Sequence, residues 1–281
     1  MSQDKRAVGR EELDAAAKSL AAQGKPFDVT NIWEYLAANA ATAGSKLDLA
    51  NIIMSVGGAF LVIALPIILG LVADKYHFPA MLTGALSSVA VFGVGGVGLS
   101  AIAAAKVVDA DPVIAIDLDD EKLAFARKFG ATHGINASKV DPIEAIRDLT
   151  RKTDAHGFET FGADFAFDCI GVRKTMEQIL PASRNGLLGA RTGGTAVLVG
   201  VPTTTVELDP RDLLINEKKY IGSIGGSCRP DRDFPMFLRW YAEGDLDLDA
   251  LVTRRFKIEE INEAVHALES GQIAGRAILE F

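Results

Sequence analysis

The chain is poor in cysteine: it has two, Cys169 and Cys228, and only four histidines in 281 residues. With no C-x-x-C spacing, these exclude a disulfide framework and a four-cysteine zinc cluster, and they fit a reducing compartment. Aromatic residues are scarce, at 7%, and 29 Lys and Arg against 37 Asp and Glu leave a net charge of −8. That balance argues against nucleic acid as a partner, because phosphate affinity rests on Lys and Arg. Charge is missing altogether from residues 49–73, LANIIMSVGGAFLVIALPIILGLVA. About 20 apolar residues cross a bilayer core, so this run is a candidate transmembrane helix. Gly57, Gly58 and Pro66 are compatible with one. A buried helix of a globular protein is the alternative. Residues 1–48 are polar, and no cleavable secretory signal is expected there.

What is present is apolar and rich in glycine, with 49% hydrophobic residues and 27 glycines. Such a chain is not disordered and is long enough for one large domain or two modest ones. The patterning divides it into a polar helical segment (1–48), the hydrophobic stretch (49–75), a linker (76–87) and a domain from 88 to 281. Helices are expected over Arg10–Gln23, stopped by Gly24 and Pro26, and from about Asn31 to Ala41. This helix pair invites a DNA-binding reading, but its second helix has no Lys or Arg to meet phosphates.

Beyond Ser88, strands alternate with helices. Strands are expected at 89–92, 113–117, 164–169, 195–199, 220–224 and 277–281. Helices are expected at 96–108, 121–129, 142–151, 175–183, 234–242 and 258–268. The alternation predicts an α/β fold, a doubly wound parallel sheet of the Rossmann type covered on both faces. Between the first strand and its helix stands Gly93-Val94-Gly95-Gly96-Val97-Gly98, which fits G-x-G-x-x-G. In that context Gly93 permits a tight turn, Gly95 lets a pyrophosphate approach the backbone, and Gly98 lets helix and strand pack closely. The helix N-terminus offers N–H groups and a positive dipole end to phosphates. The next strand ends at Asp117. An acid there accepts hydrogen bonds from ribose hydroxyls and repels a 2′-phosphate, which favours NAD over NADP.

From about Ser88 to Phe281 the chain resembles the C-terminal, cofactor-binding half of a zinc-type alcohol dehydrogenase of the medium-chain dehydrogenase/reductase family. The resemblance rests on VAVFGVGGVGLSAI, AIDLDDEKLAFARKFGATHGIN, DFAFDCIG, VLVGVP and INEAVHALESGQIAGRAILEF. It implies that Gly95, Gly96 and Val97 hold the pyrophosphate, and that Asp117 and Lys122 reach the adenosine ribose. It implies that Ile170 packs near the adenosine side and that Val199, Gly200 and Val201 line the nicotinamide. Ser223 and Ile224 would lie near the carboxamide, and Arg276 near the pyrophosphate. It further implies a homodimer, paired edge to edge through residues 220–224. Arg184–Gly194, RNGLLGARTGG, is a longer glycine-rich loop than the family usually has there and resembles a bacterial subgroup of alcohol and formaldehyde-type dehydrogenases.

The family's catalytic zinc ligands are not recognisable. Before Ser88 there is no cysteine, and the only histidine is His77. His133, His156 and His266 have no ligand spacing, and no Tyr has a Lys four residues on. Cys169 and Cys228 read as core or loop thiols. Two functions are therefore expected to compete. One is an NAD-dependent oxidoreductase whose zinc and substrate pocket come from elsewhere. The other is a membrane-anchored NAD-binding accessory or sensing subunit without turnover. The NAD-binding domain should face the cytoplasm, at the membrane or free of it. Positive charge gives no support for a single crossing: Lys46 and Lys75 flank the run on opposite sides, and Lys5, Arg6, Arg10, Lys18 and Lys25 pull the N-terminus inward.

Overall fold

The computed structural model describes residues 10–25, 35, 87–153, 157–187 and 191–280. The hydrophobic stretch and nearly all of the second expected helix lie outside these residues. Among the described residues, no helix is long and apolar enough to cross a membrane.

The chain divides into two compact units. One contains α1 (Arg10–Ala22). The other contains most of the strands. In chain order these are β1 (Val89–Phe92), α2 (Gly96–Val107), β2 (Val113–Asp117), α3 (Asp120–Phe129), β3 (His133–Asn136) and α4 (Pro142–Thr150). The short strands β4 (Lys152–Thr153) and β5 (Glu159–Thr160) follow, then β6 (Phe165–Asp168), α5 (Arg173–Ala182), β7 (Thr195–Leu198), α6 (Pro210–Leu214) and β8 (Lys219–Gly222). The chain next forms α7 (Pro230–Glu243), which belongs to the unit of α1, and returns with β9 (Val252–Lys257), α8 (Ile261–Glu269) and β10 (Arg276–Glu280).

In the unit of α1, Leu20 packs on Tyr241 of α7, with Leu238, Leu248 and Tyr35 around them. The Tyr241 hydroxyl donates to Asp249 at 2.7 Å.

In the larger unit, six strands form one sheet in the order β3-β2-β1-β6-β7-β8, all parallel. Every residue of β1 and β6 is buried, as expected for strands covered on both faces. Ala90, Phe92, Ile114 and Ile116 share a cluster with Ile146 of α4 and Ile179 and Leu180 of α5. Val91 points the other way, against α2. The order reverses between β1 and β6, whose neighbours run outward in opposite directions. At such a switch point the loops leave the carboxyl ends of adjacent strands on opposite sides and open a crevice.

Most expected elements stand within a residue or two of their place. The exceptions have local causes. β3 was not expected from His133-Gly134-Ile135-Asn136, which has one apolar side chain; it forms because β2 offers a free edge, with Ile116 opposite Ile135. β9 was not expected from a segment with charges at 254, 255 and 257, but it pairs with β10 and buries Phe256. The strand expected at 220–224 runs over 219–222 instead. Ser223 N still donates to Leu198 O at 2.9 Å, and then Gly225 and Gly226, at φ +53° and +69°, curl the chain away.

Candidate functional site

The carboxyl ends of β1, β2, β6 and β7 converge on the crevice. β1 runs into Gly93, which takes φ +86°, a left-handed conformation that favours glycine. A Cβ at Gly98 would overlap Gly93 O and lie 2.9 Å from Gly93 C, so α2 can leave the turn at this angle only without a side chain there. A Cβ at Gly95 meets nothing within 4 Å. Its N-cap conformation, φ −71° and ψ −168°, is open to other residues, so the empty space beside it is not imposed by backbone strain. Among the described residues, no side chain caps α2. Its first turn carries no acid, leaving the positive end of the helix uncompensated.

Asp117 closes β2 and ties the two strand ends together. Its Oδ2 accepts from Val94 N at 2.9 Å. Its Oδ1 accepts from Leu118 N at 2.8 Å and Asp119 N at 3.3 Å. A carboxylate has about four acceptor positions, so three backbone donors leave room for a hydroxyl. Lys122 follows in the first turn of α3, which Asp119 caps, with its Nζ 3.6 Å from the position of a Cβ on Gly271.

Arg276 reaches the turn from the far end of the chain. Its side chain lies so close to Gly96 that a Cβ there would collide with the guanidinium. Burial pulls its pKa below the usual arginine value. Ile170, 45% exposed, fills the space where a Cβ on Gly93 would stand. Val199 and Gly200 donate their N–H groups to Asp168 O at 3.0 and 2.9 Å, and Val201 is 80% exposed at the rim. Gly93, Gly95, Gly96, Val97, Gly98, Asp117, Ile170, Val199, Gly200, Val201 and Arg276 thus stand at or beside one edge of the sheet. Ser223 and Ile224 lie beyond the end of β8: the Ser223 hydroxyl contacts that of Ser227 at 3.0 Å, and Ile224 is 94% exposed.

Sequence reasoning missed Asp168. Fully buried at the end of β6, it accepts from Ile170 N at 3.2 Å, Gly171 N at 3.0 Å and the Thr175 hydroxyl at 2.8 Å. Burial pushes its pKa up, and the three hydrogen bonds oppose that rise. It shapes the loop that presents Ile170. A Cβ on Gly171, at φ +88°, would strike Val201 O, and one on Gly200 would strike Gly171 N, so the loops after β6 and β7 touch through backbone. The signal was present in D-F-A-F-D-C-I-G: an acid ending an apolar strand three residues before a glycine. Among the described residues, no three His, Cys, Asp or Glu side chains gather as a metal site.

The comparisons with known proteins agree with this geometry. The family model described as "Zinc-binding dehydrogenase" matches residues 96–243. The alcohol dehydrogenase class-3 of Cereibacter sphaeroides is 33% identical over 183 residues, which cover 65% of this chain and 47% of that protein. The S-(hydroxymethyl)glutathione dehydrogenase of Paracoccus denitrificans is 28% identical over 190 residues, covering 67% and 48%. The chain spans about half the length of the curated relatives it matches. Among solved structures, an alcohol dehydrogenase zinc-binding domain protein from Burkholderia ambifaria superposes with a TM-score of 0.62 at 32% identity, over 78% of this chain and 53% of that one. Benzyl alcohol dehydrogenase from Acinetobacter calcoaceticus gives 0.62 at 30% identity, over 78% and 54%. The chain belongs to the zinc-binding dehydrogenase family, and its parallel sheet is that of the family's C-terminal, nucleotide-binding half.

Proposed function

We propose that the crevice between β1 and β6 binds NAD(H), and that the chain supplies the cofactor half of an oxidoreductase exchanging hydride between NAD and an alcohol or aldehyde. The observation that carries this is the glycine turn: an uncapped helix N-terminus with open space at Gly95, locked by Val94 N to an Asp117 carboxylate that keeps one acceptor position free. The residues fit the cofactor. Gly95, Gly96 and Val97 would take the diphosphate, with Arg276 neutralising charge beside Gly96. Asp117 and Lys122 would take the adenosine ribose, and Asp117 would repel a 2′-phosphate. Ile170 would shield the adenosine side. Val199, Gly200 and Val201 would back the nicotinamide, with Ser223 and Ile224 toward its carboxamide. When bound, the nicotinamide ring supplies the hydride acceptor or donor; the protein's part is to hold and orient it and to exclude water.

The described residues do not fit a zinc site, so no catalytic step through zinc is derived from them. The zinc ligands and the alcohol pocket of the proposed reaction would come from outside the described residues or from another chain. Among the described residues β8 is the last strand of the sheet and pairs with β7, an edge position that supports pairing with a second copy. Attachment to a membrane rests on the uncharged run 49–73 alone.

Isothermal titration of NAD and NADP into the full chain tests the cofactor reading. NAD is expected to bind saturably and NADP at least tenfold more weakly. Absence of NAD binding, or equal affinity for the two, refutes it. Formation of NADH from NAD and short alcohols in the presence of zinc and the partner half tests turnover. Binding without turnover under any such pairing would favour the accessory role.

A further inference from the structure

Residues 184–187 and 191–194 of the glycine-rich loop stand away from the nucleotide crevice. They lie at the opposite end of the strands, where Ser88 precedes β1 and Asp164 precedes β6. A cavity of about 240 Å³ opens there, with Thr150, Lys152, Asp164, Arg184 and Arg191 in its lining. Asp164 is fixed against the sheet: its Oδ2 accepts from Ser88 N and Oγ at 2.9 and 3.0 Å. Arg184 donates through Nε to Asp164 Oδ1 at 2.6 Å and through Nη1 to Thr192 O at 3.2 Å. Three of its five N–H donors remain. Arg191 Nε is buried and has no hydrogen-bond partner among the described residues. Neither Arg191 nor Lys152 is ion-paired among the described residues.

Three cationic side chains and one carboxylate thus line one cavity, and Arg184 alone pairs with the carboxylate. A guanidinium N–H withdrawn from water without an acceptor is costly, and a charge-assisted acceptor removes that cost. We propose that this pocket binds a phosphoryl dianion, either free phosphate or the phosphate group of a small molecule. An excess of two positive charges matches a dianion, whereas a single carboxylate would leave one charge uncompensated. Planar arginine forks suit phosphate oxygens. The volume admits a phosphate with a few carbon atoms and is below the usual range for larger ligands. Because it lies at the amino ends of the strands, the pocket can fill while the nucleotide crevice is occupied. Its arginines both come from the glycine-rich segment 184–194.

The test is calorimetric titration of inorganic phosphate, and separately of glycerol 3-phosphate, into the full chain at constant ionic strength in chloride. Wild type, Arg191→Gln, Lys152→Gln and Arg276→Gln are compared, since the glycine turn is itself a place for anions. Saturable binding to wild type is expected, weakened about tenfold or more by Arg191→Gln and by Lys152→Gln and retained in Arg276→Gln. Tighter binding of glycerol 3-phosphate assigns the site to a phosphorylated small molecule; tighter binding of inorganic phosphate assigns it to the free ion. Binding lost in Arg276→Gln but kept in Arg191→Gln overturns the proposal, as does no saturable binding below about 10 mM. Lys152 is exposed, so its variant keeps the test decisive if Arg191→Gln fails to fold.

Discussion

Gly95 and Gly98 stand three residues apart in one turn, and replacing each by alanine should separate the needs of the ligand from those of the fold. At Gly95 the backbone angles suit alanine, and the new methyl would meet nothing within 4 Å. Loss of unfolded-chain freedom favours the variant by roughly 0.4–1 kcal/mol. Alanine's weaker N-cap preference opposes it by an amount of the same order. Stability should therefore change by less than about 0.5 kcal/mol. The methyl would, however, stand where the proposed site brings the diphosphate up to the turn. A tenfold loss of NADH affinity corresponds to about 1.4 kcal/mol, a modest estimate for a displaced charged contact. At Gly98 the methyl would overlap Gly93 O, a backbone atom of the turn, so helix and strand must part. Overpacking of this kind costs about 1–3 kcal/mol and lowers the melting midpoint by roughly 2–4 °C for each kcal/mol. Thermal denaturation followed by circular dichroism, with NADH fluorescence titration on the same samples, reads both effects. A Gly95→Ala protein that binds NADH like wild type would refute the assignment of this turn to the diphosphate.

Asp117→Ala should weaken NAD binding about tenfold and narrow the preference over NADP, as titration with both cofactors would show. Lys218, whose side chain is 1% exposed, donates to Leu180 O and pairs with Asp212, both at 3.1 Å. Lys218→Ala should cost about 3 kcal/mol in chemical denaturation, because it takes the cation from Asp212 and leaves that carboxylate to the Asn216 amide, whereas the double change Lys218→Met with Asp212→Leu should recover most of that loss. Burial lowers the folded pKa of Lys218 below 10.5, so the unfolded chain binds the proton more tightly. Its contribution to stability should therefore rise as pH rises toward 10.5, and that slope should vanish in Lys218→Met. Burial pushes the Cys169 thiol far up and Cys228 up to about 11. Both should react slowly with a disulfide reagent at pH 8 until the protein is unfolded. Light scattering should report a dimer, and a charged substitution on the outer edge of β8 should shift it toward monomer.

Much of the fold was legible because its signals are local. An apolar strand followed by glycines and an alanine-rich helix can hardly be read otherwise. Asp119 before α3 and Gly130 after it mark that helix by capping chemistry alone, with Gly130 at φ +119°. β3 and β9 were not legible. Their side chains are mostly polar or charged, and they are strands only because a neighbour offers hydrogen bonds. The hydrophobic run 49–73 and, apart from Tyr35, the helix expected near 31–41 lie outside the described residues.

Residue type and spacing alone determined the glycine turn, the acid at the end of β2 and the parallel α/β layout, since backbone freedom, capping and hydrophobic period act within a few residues. Only the tertiary structure decided that Arg276 would stand over Gly96, some 180 residues away in sequence, and that Asp168 would shape the loop against Gly200. It also decided that Arg184 and Arg191 would share a pocket with Lys152. Contacts between distant segments arise when separate elements pack together, and no local pattern records which side chains that packing brings face to face.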